Sequence, residues 1–188
     1  AERPVRLLDC DVEEPNAHLF LRTTNKSERV VSISVPEIDE SRCDGCALCA
    51  QACAFNALVS FGTIPIFAAE MCHGCGVCTR SCPQKAIHEI EKRIGVIETS
   101  KDGNIDLVQG RLDVGNVLST PLIRAVKEEA QGDLVILDAP PGTSCPVIAT
   151  MRDTDFVVLV TEPTPFGLND LKLAVGAVEG QRIAFERP

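Results

Sequence analysis

Eight of the ten cysteines in this 188-residue chain fall into two short runs, CDGCALCAQAC and CHGCGVCTRSC. The first holds Cys43, Cys46, Cys49 and Cys53, the second Cys72, Cys75, Cys78 and Cys82, with gaps of two, two and three residues in both. Thiols this close on short turns point toward one centre instead of reaching distant strands, which argues against the disulfide staples of small secreted domains. Converging thiolates are ligands for soft metal, and iron and zinc compete. Structural zinc takes pairs of ligands separated by a long spacer, and three cysteines at this rhythm fit it badly. Two copies of the run instead fit two 4Fe-4S clusters in which the fourth cysteine of each copy serves the other cluster. The spacing therefore assigns Cys43, Cys46, Cys49 and Cys82 to one cluster, and Cys72, Cys75, Cys78 and Cys53 to the second. His73 lies inside the second run, but four cysteines already complete that site.

The elements that must position these thiols are themselves duplicated. A shift of 29 residues aligns Pro36 with Pro65, Cys43 with Cys72, Gly45 with Gly74, Ala57 with Ala86 and Leu58 with Ile87. Each half reads as a strand, a glycine-containing ligand loop, a short helix around the third and fourth cysteines, and a return strand. Gly45 and Gly74 sit where backbone has to wrap closely around a cluster. Residues 34–90 resemble the 2[4Fe-4S] bacterial ferredoxins, an α+β fold. Pro83 follows Cys82 as in that family, whereas Ala54 follows Cys53.

Composition narrows the class. Apolar residues make up 45% of the chain, enough for a sizeable core, and the formal net charge is -9. Nucleic acid is excluded as a partner, because phosphate binding needs a cationic surface. A negative surface suits redox partner proteins with basic docking faces. No apolar run reaches the length of a membrane span, and the start AERPVRLLDC lacks a signal-peptide pattern. Thiols kept available for clusters imply a reducing, cytoplasmic compartment. With no Trp or Tyr, an aromatic-lined sugar or base-stacking site is not expected.

Outside residues 34–90 the pattern changes to apolar strands alternating with helices, an α/β arrangement. Leu134–Leu137 and Phe156–Val160 are continuous apolar runs, expected in a parallel sheet covered on both faces. Thr120 and Pro121 read as the N-cap and first residue of a helix to about Ala130. Leu168, Leu171, Val175 and Val178 mark one buried helical stripe. The run Glu89–Arg93 reads as a solvated strand edge, and LVQGRLDVG as a surface strand. Three units follow: residues 1–33 and 91–188 form an α/β domain, and residues 34–90 are inserted in it.

Ligands of open α/β sheets bind beyond the carboxyl ends of the strands. Here Val5–Leu8 runs into Asp9, Cys10 and Asp11; Leu134–Leu137 runs into Asp138, Ala139, Pro140, Pro141 and Gly142; Phe156–Val160 runs into Thr161 and Glu162. Four apolar residues followed by aspartate is the Walker-B arrangement, which places a carboxylate beside the magnesium of a nucleotide. An aspartate that caps the turn after a buried strand gives the same pattern. Cys10 and Cys145 lie outside both runs and read as small buried hydrophobes.

DCDVEEPN, LDAPPGTSCP and VTEPTPFGLNDLKLAV together resemble the MinD, ParA and Mrp group of P-loop ATPases, and within it the MinD-superfamily ATPases that carry an inserted ferredoxin domain. The resemblance implies a parallel-sheet P-loop NTPase-like domain, incomplete in this chain, with ATP and Mg2+ as ligands of the complete protein. It makes Asp11 the switch I aspartate near the attacking water with Asp9 beside it, Asp138 the Walker-B aspartate, and Pro140, Pro141 and Gly142 the switch II loop. No Gly-x-x-x-x-Gly-Lys-Ser/Thr occurs in the 188 residues, and the expectation is a truncated segment whose phosphate loop precedes Val5. A non-hydrolysing relative and a phosphate loop supplied by another chain are the alternatives. The expected function is ATP-coupled electron transfer, alone or as a homodimer or with a related ATPase subunit. A cluster-delivering assembly factor of the Mrp type and a ferredoxin-like module on an inactive platform are its rivals.

Overall fold

A computed structural model describes residues 3–181 and, for the backbone, residues 184–185. The chain opens with β1 (Val5–Asp9), passes a 3-10 turn at Ala17–Phe20 and enters β2 (Thr24–Ile38). The cysteine halves follow as α1 (Leu48–Ala52), β3 (Leu58–Val59), β4 (Ile66–Phe67) and α2 (Val77–Ser81). β5 (Ile87–Asp102) leads back, followed by β6 (Ile105–Leu112), α3 (Ser119–Lys127), β7 (Val135–Asp138) and α4 (Cys145–Met151). β8 (Phe156–Val157), α5 (Pro165–Gln181) and β9 (Ala184–Phe185) come last.

The main sheet has five strands in the order β2-β5-β6-β1-β7 and is mixed, not parallel throughout. β1 runs parallel to β6 and β7, whereas β2, β5 and β6 pair antiparallel. The reason lies at Gly103 and Asn104, a two-residue turn with Gly103 at φ +56° that forces β5 and β6 into a hairpin. Apolar runs carry no strand direction, but this turn pair does.

That hairpin moves LVQGRL from the expected surface to the sheet centre, where Leu107 and Val108 are buried. Leu8, Ile94, Ile97 and Val108 pack against Leu122, Ile123 and Val126 of α3, each side chain contributing about 1.5–3 kcal/mol of burial. A Cβ on Gly110 would stand 2.5 Å from Val12 Cγ1 and 2.8 Å from Val126 Cγ2, so α3 can lie this close only over a glycine. α3 starts at Ser119, not after a Thr120 cap, because Asn116 Oδ1 accepts the Leu118 N–H and turns the chain earlier. Lys127 ends the helix with its ammonium partly buried, donating to the carbonyls of Ala149, Thr150 and Arg152 at the end of α4.

Two expected apolar strands are not covered on both faces. Val135 and Leu137 face the core, while Ile136, on the opposite face, is half exposed. Of Phe156–Val160 only the first two residues form a strand, paired with β9 in a separate ladder, and Val158 and Val160 are exposed. The stripe on α5 is buried fully only at Val178, and Leu168 is exposed.

β2 and β5 form one long antiparallel ribbon that crosses positions 33/34 and 90/91 without a break in the sheet, apart from irregularities at Thr24/Ser27 and Val31/Ser32. Residues Glu89–Arg93 pair with β2 on one side, while β6 begins pairing only at Gly95, leaving the solvated edge expected there. Because β5 runs opposite to β1 and β6, its early residues project past the carboxyl end of β1. The cysteine halves therefore extend from the same end of the sheet as Asp9. Glu98, aligned with Gln109 and through it with Asp9, lies about 36 Å along the strand from Ile87.

Candidate metal centre

The repeat is structural as well as sequential. α1 and α2 occupy positions 29 apart, and the pairs Gly45/Gly74, Ala47/Gly76 and Asn56/Lys85 all have positive φ, between 49° and 71°. The ladders match too: Leu58 pairs with Phe67 as Ile87 pairs with Ile38, and Val59 with Ile66 as His88 with Glu37. Left-handed backbone at Gly45 and Gly74 aims the ligand loops inward. Close packing adds to it, since a Cβ at Gly74 would meet Ser34 O at 3.1 Å and one at Gly45 would meet Gly62 O at 3.3 Å.

Two cavities result. One, with about 420 Å³ of free space partly continuous with solvent, is lined by Cys53, Cys72, Cys75 and Cys78. The other, the first cavity in chain order, has about 320 Å³ of free space likewise partly continuous with solvent and is lined by Cys43, Cys46, Cys49 and Cys82. Each thus gathers three thiols from one run and the last thiol of the other. The crossing arises because α1 and α2 pack against each other, bringing the C-terminal cysteine of each helix to the facing cavity. Val35, Ala57 and Leu58 are buried among these thiols and keep the surroundings apolar.

The donor chemistry fits a 4Fe-4S cluster in each cavity. Among the described residues no three His, Cys, Asp or Glu side chains converge on one metal ion. A single zinc would need its sulfurs about 2.3 Å from one point. The amides of Ala57 and Ala86, 29 residues apart, donate to Cys53 Sγ and Cys82 Sγ at 3.3 Å, an arrangement suited to anchored thiolates. Burial pushes the Cys49, Cys72 and Cys78 thiols up, so metal uptake releases protons there.

The cavity rims differ between halves. Gln84 Nε2 donates to Asp44 Oδ2 at 2.9 Å beside the first cavity. At the repeat-related positions beside the second, Phe55 and His73 stack with ring centroids 3.9 Å apart. Neither pair was predicted from the sequence, although the 29-residue shift identifies the partners once one pair is seen.

The predicted carboxylates do gather at the carboxyl end of the main sheet. Asp9 and Asp138 are register partners, and Cys10 N donates to Asp138 O at 2.9 Å. Asp9 is buried, and its carboxylate accepts N–H bonds from Asp11 at 3.1 Å and from Asn16 and Ala17 at 3.0 Å. It therefore acts as the cap of the loop after β1. Partial desolvation at the rim, with the Asp9 charge behind it, raises Asp138, whose side chain still reaches solvent; desolvation is also the main cause raising Asp11, helped by Asp9. Pro140, Pro141 and Gly142 form the loop after Asp138, with Gly142 at φ +92°. Cys10 is buried as expected, but Cys145 is exposed because it starts α4 at the rim instead of facing the core. His18, which carried no sequence signal, bonds Gln109 through Nδ1 at 3.1 Å.

Comparison with known proteins agrees with the cavities. Residues 35–58 and residues 65–88 each match a 4Fe-4S binding domain family. Two uncharacterized proteins of Methanocaldococcus jannaschii are similar to most of the chain. MJ0578 is 37% identical over 87% of this chain and 58% of its own length; MJ0579 is 32% identical over 96% of this chain and 66% of its own length. The chain thus spans less than two thirds of either relative. No described helix is long and apolar enough to cross a membrane. Residues 35–88 carry two 4Fe-4S binding domains of the kind found in iron–sulfur electron-transfer proteins.

Proposed function

We propose that this chain is the two-cluster electron carrier of an ATP-linked iron–sulfur protein. Cys43, Cys46, Cys49 and Cys82 hold one 4Fe-4S cluster, and Cys53, Cys72, Cys75 and Cys78 hold the other. The observation that carries this reading is that each cavity is lined by one such crossed set of four thiols. When bound, the clusters supply one-electron carriers at potentials set by their surroundings. The chain's own residues fix the anchors, exclude water through the apolar cores around Ala57 and Leu58, and donate amide hydrogens to Cys53 and Cys82. Retained clusters are favoured over cluster delivery because thiols from both runs close each site.

In this reading residues 34–90 form the cluster unit, and residues 1–33 and 91–188 form a MinD-type platform. Asp11 and Asp138 would hold water and Mg2+ beside a nucleotide, with Asp9 fixing the loop that carries Asp11 and Pro140 to Gly142 acting as the responsive loop. The support is the resemblance together with the gathering of these carboxylates at the strand ends from which the cluster ribbon projects. A phosphate-binding loop would come from a further segment or a second subunit. Redox proteins of the cytoplasm are the expected partners.

Two measurements separate the parts. Anaerobically reconstituted protein should contain about eight iron and eight sulfide per chain; zinc without sulfide would overturn the cluster assignment. In protein that is supplied with a phosphate-binding loop, cluster potentials should shift on adding Mg-ATP; unchanged potentials with intact clusters would remove the nucleotide coupling alone.

A further inference from the structure

The repeat supplies an internal control, because the two ligand runs and their flanking ladders correspond at a shift of 29 positions. Shared features cancel: the amide bonds to Cys53 and Cys82, the loop conformations and the flanking ladders are the same in both halves. What remains is a small set of chemical differences.

At the first cavity the distinctive group is Asp44. Its Oδ1 accepts the N–H of the anchoring Cys46 at 3.1 Å, and its Oδ2 is held by Gln84. A carboxylate thus stands at this cavity and takes an amide that would otherwise be available to sulfur. Arg42 donates to Gln84 O and faces Asp39, so its charge is shared away from Asp44. At the second cavity the counterpart of Asp44 is His73, and the counterpart of Ala50 is Thr79. Thr79 Oγ1 is buried in the cavity wall against the Cys78 thiol, with no nitrogen or oxygen partner among the described residues. Glu89 also lines this cavity, but Arg80, whose Nη2 donates to Cys75 O, lies next to it, and the Lys92 charge reaches Cys72.

Building on the two-cluster reading, we infer that the two clusters are unequal: the one anchored by Cys43, Cys46 and Cys49 has the lower reduction potential, set by Asp44, and the one anchored by Cys72, Cys75 and Cys78 the higher, set by the Thr79 hydroxyl. Reduction adds negative charge to a cluster. A fixed carboxylate opposes that, whereas a hydroxyl donating to an anchoring thiolate favours it, and hydrogen bonds to sulfur are among the established determinants of such potentials. The Phe55–His73 stack works the other way, since dry cover disfavours the more negative state. Both rim influences are attenuated, the stack because Phe55 is 39% exposed and the Asp44 charge because its side chain stands in solvent, so the Thr79 hydroxyl, buried against Cys78, decides the order. Electrons entering the chain therefore settle on the half that contains Thr79.

The test is an anaerobic redox titration of the reconstituted full chain followed by electron paramagnetic resonance, with iron and sulfide counted in every sample. Wild type should give two separate one-electron couples. Asp44→Asn should raise only the lower couple and Thr79→Val lower only the upper one, each by about tenfold in equilibrium constant, or ~59 mV. Thr79→Ser should retain the wild-type value, and Ala50→Thr should raise the lower couple, which keeps the idea testable if Thr79→Val fails to assemble. A single couple in wild type, or shifts absent or reversed in the variants at full iron content, overturns the inequality and leaves the two-cluster reading intact. Failure to incorporate iron and sulfide at all overturns both.

Discussion

The cysteine cavities and the carboxylate rim lie off the same end of the main sheet, separated along the β2–β5 ribbon, and they are built on opposite plans. Each cavity is assembled from both halves of a tight repeat, so the loss of one thiol touches both halves. The rim is assembled from strand ends far apart in sequence, with Asp9 and Asp138 brought together only by the pairing of β1 with β7. In the cavities the polar groups point at the site. In the rim the most buried one, Asp9, turns inward to hold its own loop. A redox centre thus rests on local geometry, and a rim of this kind rests on the sheet.

Breaking the crossed anchors should have the largest effect. Cys53→Ser should remove the cluster whose other ligands lie nineteen or more residues downstream, halving iron from about eight to about four per chain while the lower-potential couple survives. Iron analysis with redox titration checks this, and loss of the lower couple instead would mean that each run serves itself. On the rim side, Asp9→Asn should loosen the loop to Ala17 by about 1.5–3 kcal/mol, the worth of hydrogen bonds to a charged group. Denaturant unfolding and faster amide exchange at Asn16 and Ala17 would register it, with iron content unchanged. Gly110→Ala should cost about 1–3 kcal/mol by driving a methyl into Val12 and Val126.

The smallest effect concerns Cys10. Burial pushes its thiol up to about 12, against 9.0 ordinarily. The folded protein keeps this proton after the unfolded chain has released it. Its contribution is therefore complete below pH 9 and declines as pH rises toward 12, by at most about 1.4 kcal/mol per pH unit. Cys10→Ala should flatten the alkaline slope of the unfolding midpoint relative to wild type; identical slopes would assign the alkaline loss to other groups.

The contrast also explains what could be read from the chain beforehand. Ligand spacing is a local property, so Cys43 to Cys53 and Cys72 to Cys82 revealed both the chemistry and the 29-residue repeat. Strand order is not local. LVQGRL reads as a surface strand until the Gly103–Asn104 turn pins it beside β5 and β1 pairs along its other edge, and the apolar run at Phe156–Val160 says nothing of what lies against it. Asp9 was legible as an acidic strand end but not as a cap, because its partners Asn16 and Ala17 depend on the path of the loop. The Asp44–Gln84 and Phe55–His73 contacts join residues 40 and 18 positions apart, and only the packed repeat brings them to equivalent rims.

The crossed anchoring is tested most directly by anomalous diffraction at the iron edge from anaerobically grown crystals. Two compact iron peaks are predicted, one inside each four-cysteine cavity, with Cys53 bonded beside Cys72, Cys75 and Cys78 and Cys82 beside Cys43, Cys46 and Cys49. Isolated single-metal peaks, or Cys53 and Cys82 bonded within their own runs, would contradict it.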